Sequence, residues 1–231
     1  MTITEMHNAV RLGLDKTSAL EVPSFESEEL DHWLNKAIER FVKTRYSGVN
    51  VKKESFEQTQ KRIDDLRTLV KSTDLILYAR SVEFPNAYIV DDEENDWPSD
   101  YLFTISEEAL ATINGEEKRV GVVQCTHDEY REAIDNPYSE HILHYNSAKP
   151  LRLFYEYNVI LITDGQYTLS NYYLTYLRVP ATVDFDADTP IDCDLPEHTH
   201  SEIVDMTVNM LLENIEQPRY KTHSAEVAMM E

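Results

Sequence analysis

Apolar positions recur at helical spacing near both ends of the chain and at strand spacing between them. Met6, Val10 and Leu14 fall four apart ahead of the polar DKTS, and Thr2 with Glu5 has the spacing of a capping box, so a short helix opens the sequence. From Ser27, the residues Leu30, Trp33, Leu34, Ala37, Ile38, Phe41 and Val42 follow at threes and fours, closed by Gly48; this is the clearest amphipathic helix of the chain. Ser55 with Gln58 repeats the capping-box spacing. Phe56, Ile63, Leu66 and Val70 then hold one face of a further helix while KRIDD keeps the other charged, which predicts a helical hairpin.

From about Leu75 to Pro190 the pattern changes to short runs of β-branched and aromatic residues: ILYARSV, YLFTI, VGVVQCT, LFYEYNVILIT and QYTLSNYYLTYLRV. The last two flank Asp164-Gly165, which predicts a two-residue hairpin pairing Thr163 with Gln166, Tyr157 with Tyr172 and Tyr155 with Leu174. Both faces of such a pair are partly apolar, so it requires cover on both sides, from a second sheet or from a neighbouring subunit. HDEYREAIDNPY reads as one short helix stopped near Pro137.

The last periodic segment follows DLPEHTH. Pro196 suits a first helical turn, Glu197 is an acid near the positive end of the dipole, and Ile203, Val204, Thr207, Val208, Leu211, Leu212 and Ile215 form one stripe ending before Pro218. This stripe is expected to pack against the Leu30 to Val42 stripe. The resulting class is α+β, a helical bundle with a β-rich insertion. Its parts are an N-terminal helical region at 1–74, the insertion at 75–190, a closing helix at 191–217 and an arm at 218–231.

Few residues of the chain have the spacing that site chemistry needs. On one helix His198 and His200 lie about 200° apart and diverge, which disfavours a shared metal; His198 and Glu202 share a face that Cys193 could approach, but zinc sites take three or four ligands. Asp184, Asp186 and Asp188 match the opening of a calcium loop, yet Thr189 stands where a glycine is needed and Leu195 where a glutamate is needed, so a solvated acidic linker is expected. Cys125 near His127 and Asp128 ends an apolar strand, the setting of a buried thiol and not of a nucleophile. The 5 glycines form no phosphate loop and no nucleophile elbow. Neither a catalytic residue nor a cofactor or metal is expected.

Composition sharpens this. With 231 residues, 42% of them hydrophobic, the chain can bury a real core. A formal net charge of -22 repels a phosphate backbone, and the densest acidic run, Asp91 to Asp96, is expected to be a solvated loop. Cys125 and Cys193 are too few for a disulfide framework, which points to a reducing environment during assembly. Neither a signal peptide nor a membrane span is supported.

In order and spacing, FESEELDHWLNKAIERFVKTRY, FEQTQKRIDDLRTLV, WPSDYLFTI, NYYLTYLRVP and CDLPEHTHSEIVDMTVNMLLENIEQPRY resemble the head-to-tail adaptor, or ring, proteins of crAss-like tailed phages, relatives of tail tubular protein A-like adaptors. The resemblance runs from about Phe25 to Tyr220. It implies a virion protein at the head-tail junction, assembled in host cytoplasm as a ring of twelve copies that binds the portal and neighbouring tail rings and lets genomic DNA pass. It also implies a docking role for the last segment, in which Arg219, Tyr220, Val227, Met229 and Met230 carry mixed charge and apolar bulk. Two other classes remain open on the residues alone: an acidic DNA mimic or protein-binding module, and a metal-dependent hydrolase.

Overall fold

A computed structural model describes residues 1–15, 25–47, 56–79, 84–90, 97–155 and 158–215. In chain order these form α1 (Ile3–Asp15), α2 (Ser27–Tyr46), α3 (Gln60–Leu66), β1 (Val70–Ala79), β2 (Ala87–Val90), β3 (Tyr101–Ile113) and β4 (Glu116–Gly121). There follow β5 (Val123–Gln124), α4 (Tyr130–Asp135), β6 (Leu151–Tyr155), β7 (Asn158–Ile162), β8 (Thr168–Arg178) and α5 (His200–Asn214). The chain divides into two compact units, residues 1–69 with 179–231, and residues 70–178.

In the first unit, α1 begins at the expected capping box: the Thr2 N–H donates to the Glu5 carboxylate at 2.9 Å, and the Glu5 N–H to Thr2 Oγ1 at 3.3 Å. Helices α1 and α2 each pack on α5, the contact expected between the two longest apolar stripes. Leu30, Leu34, Phe41, Ile203, Leu211 and Leu212 are buried there. Gly13 marks a close approach, since a Cβ at this position would lie 2.7 Å from Val208 Cγ2 on α5.

The third helix is shorter than the periodicity predicts. Phe56–Gln58 forms a separate 3-10 turn, α3 stops at Leu66, and Val70 opens β1 with its side chain exposed. The expected charged outer face is also revised, because Arg62 and Asp65 of KRIDD are buried. Arg62 donates from Nη1 to the carbonyls of Thr44 and Arg45, each at 3.2 Å, and so caps the end of α2. Gly48 and Ser55 lie outside the described residues.

The acidic stretch from Asp184 keeps its carboxylates in water, but its backbone is pinned and is not a free linker. Asn35 exchanges two hydrogen bonds with the Val183 backbone, at 3.0 and 2.8 Å, and the Phe185 N–H donates to Asp31 Oδ2 at 3.0 Å. The Phe185 ring stacks on His7 with centroids 5.0 Å apart.

In the second unit the described strands form one eight-stranded sheet in the order β4-β3-β8-β1-β2-β7-β6-β5, antiparallel except where β5 meets β6. Strand β1 joins two halves: Val70 to Ile76 pair with β8, and Leu77 to Ala79 pair with β2. The expected hairpin across Asp164-Gly165 is therefore corrected, because β7 and β8 are not neighbours. Strand β7 is occupied on both edges, by β2 and by β6. Thr163 donates its N–H to Asn86 O at 3.2 Å instead of pairing with Gln166. Asp164 turns the chain away by accepting the Leu143 N–H at 2.7 Å and the Gln166 N–H at 2.8 Å, with Gly165 at φ +83°.

The run read as one long strand itself doubles back, pairing Tyr155 with Asn158 and Leu153 with Ile160; Glu156 and Tyr157 lie outside the described residues. Strand β7 is covered on both faces within the unit, whereas Ile76 and Tyr78 of β1 stay exposed on the face opposite the core. Leu75, Val90, Ala109, Leu161, Tyr172 and Leu174 belong to one core drawn from both halves of the sheet. Leu153, Ile160 and Ile162 pack on the other face with Tyr130, Ala133 and Ile134 of α4. Only Val120 and Gly121 of the edge strand β4, EEKRVG, fall in a predicted run, because charge, which protects an exposed edge from pairing, hides the rest from a hydrophobic pattern.

Candidate assembly surface

Helix α2 puts its apolar stripe into the core, and the 3.6-residue repeat leaves Lys36, Arg40 and Lys43 together on its outer side. Beside them Trp33 is half buried, with Lys36 Nζ 4.5 Å from the ring centroid. Met210, Glu213 and Asn214 from the last turns of α5 form the other wall of an open groove of about 950 Å³. Lys43 pairs with Glu39 at 2.5 Å. In a chain of net charge -22 this is a local cluster of cations around an apolar strip.

An ion-pair cluster joins the two helices that carry it. Arg45 Nε lies 2.9 Å from Asp65 Oδ2, an ion pair without hydrogen-bond alignment, and its Nη2 pairs with Glu202 of α5, which Lys61 also contacts at 3.1 Å. His198 Nε2 sits 2.9 Å from Asp65 Oδ1. This cluster ties α2, α3 and α5 together. Glu107, Arg152 and Tyr172 form a comparable buried group in the sheet unit, with the Tyr172 hydroxyl donating to Glu107 Oε1 at 2.6 Å. Burial and the neighbouring carboxylate push the Tyr172 phenol far up, so the hydroxyl keeps its proton.

The residues singled out from sequence take structural roles. His198 belongs to a 3-10 turn, Glu197–Thr199, and faces Asp65, whereas the buried His200 has Nε2 2.9 Å from Leu195 O. Glu202 is committed to Arg45 and Lys61. Cys193 is buried and desolvation pushes its thiol up to about 11; Cys125 is buried and raised for the same reason. His127 has Nε2 2.6 Å from Phe154 O. Asp184 Oδ1 accepts the N–H groups of Asp186 and Ala187, both at 3.0 Å. Among the described residues no three His, Cys, Asp or Glu side chains converge to hold a metal ion, and no helix is long and apolar enough to cross a membrane. The run Asp91 to Asp96 and the candidate docking residues Arg219, Tyr220, Val227, Met229 and Met230 lie outside the described residues.

The groove was missed from sequence, although its signal was present: cations at i, i+4 and i+7 on the side of α2 opposite its stripe. Tyr145 was also missed. It is fully exposed with φ at 51°, at the tip of a tight turn that His144 and Ser147 close with two 3.0 Å hydrogen bonds. Asn146 beside it accepts from Asn114 Nδ2 at 2.7 Å.

The family model for phage tail ring protein 3/4 matches residues 1–222. Among curated proteins the chain has no match.

Proposed function

Because the chain belongs to the phage tail ring protein 3/4 family of crAss-like phages, we propose that it forms a closed ring, of twelve copies, in the connector between portal and tail, with genomic DNA passing through its bore. A tail ring protein is a structural component of the virion, and the reading assigns it no catalysis and no cofactor.

The observation that carries the channel reading is the charge. A net charge of -22 per copy, multiplied around a ring, gives DNA a wall that gains nothing from counterion release and so does not hold the genome as it slides. Rings need heterologous contacts, in which one patch of each copy meets a different patch of the next. The segment 218–231 serves as an inter-subunit arm in this reading, with Arg219 and Tyr220 anchoring its base and Val227, Met229 and Met230 supplying apolar contact.

Electron microscopy of the purified chain, alone and mixed with its cognate portal, tests the reading. Class averages are expected to show twelve-fold rings that stack coaxially on the portal. Rings that never associate with portal would remove the connector position while leaving the ring.

A further inference from the structure

We propose that the groove between α2 and α5 is the receptor for the Glu226 to Glu231 segment of a neighbouring copy. This rests on the ring reading and names the surface on which the arm acts.

The chemistry of the two partners is complementary. The segment reads EVAMME, four apolar residues bracketed by Glu226 and Glu231. The groove offers Trp33 and Met210 as apolar surface, with Lys36, Arg40 and Lys43 along one wall against the acids Glu39, which Lys43 pairs, and Glu213, so cations outnumber acids. Lengths are compatible as well. Glu226 and Glu231 are about 17 Å apart in an extended chain, and Lys36 to Lys43 spans about 10 Å of helix, which the long lysine side chains extend at either end, so both carboxylates reach cations while the methionines lie over the strip. Met side chains adapt to irregular apolar surface and pack well against aromatic rings.

Reach permits a neighbouring copy to receive the segment, and the symmetry of a ring favours it. The chain leaves α5 at Ile215, next to Glu213 and Asn214 in the groove wall. From there Glu226 stands up to about 36 Å away along an extended chain, longer than the roughly 30 Å of α2 itself, so the arm can leave its own subunit. Given to the next copy, the arm supplies one patch and the groove the other, the two unlike patches that a closed ring requires. The arm then binds at the high effective concentration set by the ring.

Two variants of the chain test this, Met230→Cys in one population and Thr44→Cys in the other, mixed under mild oxidation and resolved on a non-reducing gel. The native Cys125 and Cys193 are buried and contribute little background. The expected result is a disulfide-linked dimer in the mixture, absent from either variant alone. Its rate should fall about fivefold when the Thr44→Cys chain also carries Lys36→Glu and Arg40→Glu, the worth of roughly 1 kcal/mol of surface ion pairing. If Thr44→Cys lowers the melting temperature, Ser47→Cys replaces it on the same wall. Absence of the mixed dimer while the wild-type chain forms rings overturns the docking alone. So does a crosslink found only within a doubly substituted chain, since the arm would then lie on its own groove. A wild-type chain that stays monomeric overturns the ring reading and this inference with it.

Discussion

The guanidinium of Arg45 on α2 lies 2.9 Å from the carboxylate of Asp65 on α3, with both side chains almost wholly shielded from water. Such a pair gains little net stability over apolar residues of the same size, but breaking one half strands the other charge in the core. Asp65→Ala is therefore expected to cost about 3–5 kcal/mol in urea unfolding, whereas Arg45→Met with Asp65→Leu should recover most of it. A loss below about 1 kcal/mol for Asp65→Ala would show that water reaches the pair.

Gly13 should resist the substitution that helix propensity favours. Alanine in a helix gains about 1 kcal/mol over glycine, but the added Cβ would meet Val208 Cγ2 at 2.7 Å, and forced overpacking typically costs about 1–3 kcal/mol. Gly13→Ala is expected to lower the melting temperature, and Gly13→Ala with Val208→Ala to behave better than the sum of the two changes. Additive effects would mean that α1 shifts freely on α5.

Leu34 and Leu211 are both fully buried where α2 and α5 pack. Truncation removes transfer energy and leaves a cavity, so each alanine variant should lose about 2–5 kcal/mol in chemical unfolding. Midpoints equal to wild type for both would contradict the packing.

Thiol chemistry should report the fold. Burial raises the Cys193 thiol from 9.0 in the unfolded chain to about 11, so the neutral thiol is the form the folded state favours. The sign follows: stability is unaffected below pH 9 and declines as pH rises from about 9 towards 11, while the unfolded thiol ionises first. At pH 8 both cysteines are expected to react with a maleimide far more slowly in the native chain than in denaturant. Equal rates would place them in solvent.

Helices α2 and α5 were legible in the sequence because one buried stripe per helix writes its period directly, as Leu30 to Val42 and Ile203 to Leu212 do. What escaped was set by tertiary partners. Arg62 and Asp65 look like surface charges until Arg45 and the end of α2 are placed beside them. The Asp164-Gly165 turn has the local chemistry of a hairpin, but β2 and β6 already occupy both edges of β7, and a local signal cannot report that competition. The first four residues of β4 were invisible because the exposed Glu116, Glu117, Lys118 and Arg119 carry no apolar alternation. The cationic side of α2 could have been read from the spacing of Lys36, Arg40 and Lys43, had polar periodicity been weighed as apolar periodicity was.

Mass photometry of the pure wild-type chain across concentration tests ring formation most directly. Twelve chains of 26.9 kDa predict a closed species near about 320 kDa that grows from monomer without an open-ended ladder, as expected for a cyclic assembly of heterologous contacts. A single peak at 26.9 kDa at every concentration, with cognate portal present or absent, would contradict the account.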